Sequence, residues 1–125
     1  MLNMSAAQIN CLLAIRELYE RGPVASKEIA VQLHVSRPSV HRLLDALAQK
    51  GLVQKEPYGA VHLTDGGKER ADELRGILQG LTQRLSAALQ LSGNALETGS
   101  LALMSSLSEE ELLSCIHGSA LPSQP

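Results

Sequence analysis

A mainly α-helical fold with one small β-hairpin is predicted for this chain by three features. Residues 26–64 run helix, tight turn, helix and hairpin without spare residues. Apolar residues make up 44% of the chain but include only two aromatic ones, Tyr19 and Tyr58, so the core is built from Leu, Ile, Val and Ala, which suits packed helices. From Ala71 to Ala88 apolar residues recur three and four apart, the spacing of one helix face. At 125 residues the chain has length for one core with at most a small appendage.

Each element has a local cause. Ser5 is the expected N-cap of a first helix running to about Arg21, with Cys11, Ala14, Ile15 and Leu18 at helical spacing and Gly22-Pro23 as its stop. Val24-Ala25 supplies a short strand to pair with the later hairpin. Ser26 caps a second helix through Leu33, which turns Ile29, Ala30 and Leu33 inward, and His34-Val35 forms the turn. Ser36 caps the third helix, where Pro38 falls in the first turn and its missing N–H costs nothing. Val40, Leu43, Leu44 and Leu47 form the buried stripe of this helix, and Gly51 ends it in the left-handed conformation. Leu52–Lys55 and Ala60–Leu63 are the hairpin strands, joined across Glu56-Pro57-Tyr58-Gly59.

Thr64 caps a long helix to about Leu91. Ala71, Leu74, Leu78, Leu81, Leu85 and Ala88 give it the seam of a helix that pairs with another, although a core-facing helix of a monomer shows the same stripe. Leu74, Leu78, Leu81 and Leu85 are the candidate dimerisation residues. Ser92-Gly93-Asn94 interrupts the chain before a helix from about Ala95 to Ser106. Ser108 and Glu111 then form a capping box stapled by Leu107 and Leu112, so Glu109–Glu111 favour a helix N-terminus rather than a ligand. The expected domains are a winged helix-turn-helix over 1–64, a helical dimerisation region over 65–117 and a disordered tail over 118–125.

That order of parts places one helix in a DNA major groove and the hairpin, or wing, beside the backbone. On the third helix Arg37, Ser39, His41 and Arg42 lie outside the buried stripe. Arginine reads guanine with two hydrogen bonds, and serine and histidine meet bases or phosphates. Ser26, Lys27 and Ser36 stand at helix starts and Lys55 and Tyr58 in the wing, all as candidate backbone contacts. The bland alternative is that Arg37 and Arg42 are solvated charges. The net charge of -2 hides an asymmetry: residues 1–64 hold seven Lys and Arg against five Asp and Glu, and residues 65–125 hold four against eight. The basic excess lies where phosphates are expected, and it is small enough that affinity would lean on a dimer.

Other classes have little support. Scarce aromatic side chains argue against stacking on single-stranded nucleic acid. No nucleophile–base arrangement, paired carboxylates or phosphate-cradling glycine loop points to an enzyme; Gly66-Gly67 reads as a strand-to-helix turn. A winged helix serving as a protein-interaction module would usually lose the basic face that Arg37, His41 and Arg42 retain. No apolar run approaches a membrane span and no leader pattern opens the sequence, so a cytoplasmic protein is expected. Cys11 and Cys115 form no CxxC and read as small apolar residues, or alternatively as a redox pair between the first and last helices.

The stretch IAVQLHVSRPSVHRLLDALAQKGLVQKEPYGAVHLTDGGKERA, with PSVHR, KGLV, EPYG and LTDGGK in order, resembles the metal-dependent repressors typified by the diphtheria toxin repressor and the manganese transport regulator. The resemblance covers residues 5–75 and extends more loosely to about 117. It implies a homodimer on a pseudo-palindromic operator in double-stranded DNA, with iron or manganese bound between the first, fourth and fifth helices. Carried across, the family's ligand positions fall on Asn10, Leu13 and Leu78 and near Leu101, Met104 and Ser105. Leucine cannot ligate, and Asn and Met are weak ligands for a hard ion. No metal or other cofactor is therefore expected. Leu13, Leu78 and Leu101 are expected to be buried as an apolar plug, or to leave room for a small apolar effector. On this resemblance the expected architecture is the shorter, two-domain type, without the SH3-like third domain of longer relatives. The MarR-type regulators are the alternative; their tails also contain an LSEEEL run, but they carry a further dimerisation helix ahead of the matched region.

Overall fold

Six helices and a three-stranded antiparallel sheet follow one another in the computed structural model, which describes residues 3–57 and 59–117. Tyr58 and the expected tail over 118–125 lie outside the described residues. The chain divides into two compact units. Residues 7–73 form one, and described residues 3–6 and 74–117 the other. The division falls inside the long helix, not at its start as the sequence suggests, because the first turns of that helix are tied to the wing.

In the first unit, α1 (Ala6–Leu18) buries Ile9, Cys11, Leu12, Ala14 and Ile15, a broader face than the sequence suggests. It tightens into a single 3₁₀ turn, Tyr19–Arg21, and Gly22 at φ 106° closes it. β1 (Val24–Ala25) leads directly into α2 (Ser26–Leu33). The N-cap of α2 is Ala25, not Ser26. Glu28 Oε1 accepts the Ala25 N–H at 2.9 Å, so the acid three residues on performs the capping that a serine hydroxyl was expected to perform.

Around the turn His34 adopts φ 57°, ψ 44°, and the Val35 N–H reaches the Ala30 carbonyl at 3.1 Å. α3 (Arg37–Gln49) begins as expected: Ser36 Oγ accepts the Ser39 N–H at 3.3 Å and Pro38 sits in the first turn. Val40, Leu44 and Leu47 are buried and Leu43 half-buried. The helix ends in a Schellman motif. Gly51 at φ 76° lets its own N–H reach the Ala48 carbonyl (2.9 Å) and the Leu52 N–H reach that of Leu47 (3.0 Å).

β2 (Val53–Lys55) and β3 (Ala60–Leu63) form the wing, and the sheet order is β1-β3-β2. Val53 pairs with Leu63 and Val24 with Val61, which turns all four of these residues into the core. Thr64 fastens the wing to α4 (Asp65–Leu89). Its hydroxyl reaches the carbonyls of Gly51 (2.7 Å) and Leu52 (3.1 Å) and accepts the Gly67 N–H at 2.9 Å. A Cβ on Gly67 would stand 2.0 Å from the Leu52 carbonyl oxygen, so only glycine permits this approach. Gly67 is thus a packing residue inside the helix.

The second unit takes in the remainder of α4 with α5 (Gly93–Ser106) and α6 (Glu109–Ile116). α5 starts earlier than expected. Ser92 occupies the N-cap position, and Gly93 and Asn94 are absorbed into the first turn despite poor helix propensity. α6 starts as expected: the Glu111 N–H donates to Ser108 Oγ (3.0 Å) and the Ser108 N–H to Glu111 Oε1 (2.9 Å). α6 packs closely on α4. A Cβ on Gly80 would lie 2.8 Å from Ile116, and Arg84 Nη2 donates to the Ile116 carbonyl at 2.6 Å, closing the last turn of α6.

Candidate nucleic-acid interface

The first turn of α3 is organised by a small polar chain. Ser36 Oγ donates to Ser39 Oγ at 3.0 Å, and Arg42 Nη2 donates to the same oxygen at 3.3 Å. Ser39 is half-buried and already carries these bonds, so it positions Arg42 rather than facing outward itself. Arg37, His41 and Arg42 are exposed, as are Pro38, Asp45 and Gln49. At 100° per residue, Pro38, Arg42, Asp45 and Gln49 share one outward strip, with His41 on the side nearer the wing.

Between α3 and the wing lies a cleft of about 190 Å³, lined by Ser26, His41, Leu44, Lys55, Glu56 and neighbouring wing residues. Ser26 belongs here because its N–H donates to the Gly59 carbonyl at 3.2 Å, which draws the start of α2 against the wing turn. The Gly59 N–H closes that turn on the Glu56 carbonyl at 3.1 Å. Lys27 does not join this cleft. It lines a separate open hollow of about 380 Å³ with Leu18, Glu28, Val31 and Gln32. Ser36 sits exposed at the opposite end of the strip and Lys55 at the wing root, while Tyr58 lies outside the described residues.

Two carboxylates missed by the sequence reading modify the basic face. Asp45 Oδ1 forms an ion pair with Lys55 Nζ. Glu56 Oε2 lies 2.7 Å from His62 Nε2. His62 also meets the Tyr19 ring edge-on (6.3 Å between centroids), and Lys68 Nζ stands 5.4 Å over that ring, so the wing is braced from behind. Helical spacing could have exposed Asp45, which follows His41 by four residues and Arg42 by three. Its partner is ten residues away on another element and has no local signal.

The candidate dimerisation residues divide. Leu74 and Leu81 are fully buried in the single chain and leave no surface for a partner. Ile77 is buried with them, so the apolar stripe is a broad core face instead of a narrow seam. Leu78 and Leu85 are half-buried, and Leu89 and Leu113 are the exposed large apolar residues of this unit. Among the described residues no group of three or more His, Cys, Asp or Glu stands together. Of the residues at the resembled ligand positions, Leu101 is buried and Leu13 and Leu78 are half-buried. Cys11 is fully enclosed and burial pushes its thiol up to about 12, whereas Cys115 is exposed. No described helix is long and apolar enough to cross a membrane.

A sequence profile of the MarR family matches residues 3–59, from α1 through β2 to the wing turn. Among solved structures, the manganese regulator SloR is similar with TM-score 0.77 at 23% identity, over 92% of this chain and 54% of its own. The hypothetical protein SSo2273 from Sulfolobus solfataricus gives 0.69 at 22% identity, over 96% and 92%. MepR, a transcription regulator of the Staphylococcus aureus multidrug efflux pump MepA, gives 0.52 at 23% identity, over 78% and 73%. The fold is a winged helix-turn-helix of the kind transcription regulators use. The chain spans about half the length of SloR and of other metal-dependent regulators it matches. No curated protein matches it.

Proposed function

We propose that this protein is a homodimeric, sequence-specific regulator of transcription that binds a pseudo-palindromic operator in double-stranded DNA. The observation that carries the reading is the outward strip of α3, which presents Arg42 with His41 beside it next to a wing, while Arg37 stands exposed at the helix start. Arg42 is aimed by Ser39, an arrangement suited to a guanine edge. Each subunit would lay α3 in a major groove, and two subunits would meet half-sites about one helical turn apart. Occupancy of the operator would block transcription. Leu78, Leu85, Leu89 and Leu113 are the proposed dimer contacts; Leu74 and Leu81 belong to the core.

Within this reading we place the chain beside the metal-dependent repressors but free of metal control. The test is fluorescence anisotropy with duplexes selected from a random pool, run with chelator and again with Mn(II) or Fe(II). Equal, salt-sensitive binding in both supports the proposal, and binding only with metal overturns metal independence. Absence of binding in either condition overturns the DNA reading and favours a protein-interaction module. A MarR-type regulator is the second reading, favoured by the profile match over residues 3–59. Under it the C-terminal helices alone would not hold the dimer, so Leu113→Glu would leave the oligomeric state unchanged.

A further inference from the structure

Asp45 stands near the centre of the outward strip of α3, where a carboxylate opposes phosphate binding. Its side chain is 63% exposed and its partner, Lys55, 34% exposed, so the pair sits at the surface that would meet DNA. Lys55 is the last residue of β2 and joins the wing root to α3. An exposed pair of this kind contributes little to stability and is readily exchanged for a better partner. The exchange is not symmetric. Giving Lys55 to a phosphate leaves Asp45 unpaired beside a polyanion, unless a hydrogen-bond donor on the DNA replaces the ammonium group. In the major groove the exocyclic amino group of cytosine is that donor, because carboxylates accept from it.

We infer that Asp45 is a specificity-determining residue that withholds Lys55 from the DNA backbone until a cytosine amino group meets Asp45 in the major groove. The inference rests on the DNA-binding reading above. It turns a lysine that would otherwise strengthen binding to every sequence into one that strengthens binding to the right sequence. On non-cognate DNA the pair stays closed and Lys55 releases no counterion. On the operator, Asp45 bonds to cytosine and Lys55 reaches a phosphate.

The test measures the salt dependence of binding by the full-length protein to a selected duplex and to a shuffled duplex of equal length. Asp45→Asn and Lys55→Met are compared with the wild type. A lysine that neutralises one phosphate contributes about 0.9 to the slope of log K against log salt. For Lys55→Met, which removes one lysine from each subunit of the dimer, the slope should fall by about 1.8 on the selected duplex and stay unchanged on the shuffled one. For Asp45→Asn, which frees Lys55 in both subunits, the slope on the shuffled duplex should steepen by about 1.8, and discrimination between the two duplexes should fall at least roughly tenfold. Equal slope losses on both duplexes for Lys55→Met, or unchanged discrimination for Asp45→Asn, would overturn the inference while leaving the DNA reading intact. No binding of either duplex by the wild type would overturn both.

Discussion

The winged unit and the helical unit spend their surface side chains differently. In the winged unit the polar groups are tied to particular partners across elements: Thr64 to the Gly51 and Leu52 carbonyls, Lys55 to Asp45, Arg16 to Asp72 at 3.1 Å. Its core residues come from every element, including the wing strands. In the helical unit the polar contacts include the local Ser108–Glu111 box and the Arg84–Ile116 tie. Among the described residues each unit leaves two large apolar side chains exposed, Val31 and Val35 in the first and Leu89 and Leu113 in the second. The contrast teaches that the first unit is built to hold a surface geometry within ångströms. In the proposed dimer the second would present Leu89 and Leu113 to the partner.

Substitutions that respect only one half of this contrast test it. The largest effect belongs to Leu44→Ala. Leu44 is fully buried on the face of α3 at the base of the wing cleft, and its loss should cost about 2–5 kcal/mol in urea unfolding. Leu113→Ala, at an exposed site, should change the stability of the chain by no more than about 0.5 kcal/mol. Equal losses at the two sites would erase the distinction.

Next comes Arg42→Ala, expected to weaken binding to a selected duplex by about 1–3 kcal/mol in anisotropy titrations. It should leave the oligomeric state seen by sedimentation unchanged. Ser100→Ala should act in the opposite direction on stability. The Ser100 hydroxyl is fully buried in α5 with no hydrogen-bond partner among the described residues. Removing it should raise the unfolding free energy by about 1 kcal/mol, since an unpaired buried hydroxyl carries a desolvation cost.

The smallest effect concerns acid. Hydrogen bonds from the Ser108 N–H and hydroxyl hold the Glu111 carboxyl below its ordinary value of 4.5. A depressed folded-state value means the stabilisation is present above that ordinary value and is lost as pH falls through the lower folded one. Amide exchange in the first turn of α6 should therefore accelerate as pH drops below 4.5, after correction for intrinsic rates, and Glu111→Gln should abolish that extra acceleration.

Much of the fold is legible from local chemistry. Ser36, Gly51, Thr64 and the Ser108–Glu111 pair each mark an element boundary through a side-chain or backbone bond formed within a few residues, and all four boundaries are found there. What escapes the sequence depends on distant partners. Nothing adjacent to Asp45 announces Lys55, and nothing adjacent to Gly67 announces the Leu52 carbonyl. Leu74 and Leu81 fail as interface residues because a stripe three and four apart is the same whether the covering surface is intramolecular or a second chain. Lys27 shows the same limit on the candidate site: the sequence puts it at a helix start, and the fold places it along a separate hollow with Leu18, Val31 and Gln32.

The central claim is that the winged unit carries the DNA surface and the C-terminal helices do not. Hydrogen–deuterium exchange with and without a selected duplex tests it most directly. The account predicts new protection over residues 26–63, strongest in the first turns of α3 and in the wing, with α5 and α6 unchanged. Protection confined to residues 93–116, or none under saturating duplex, would contradict it.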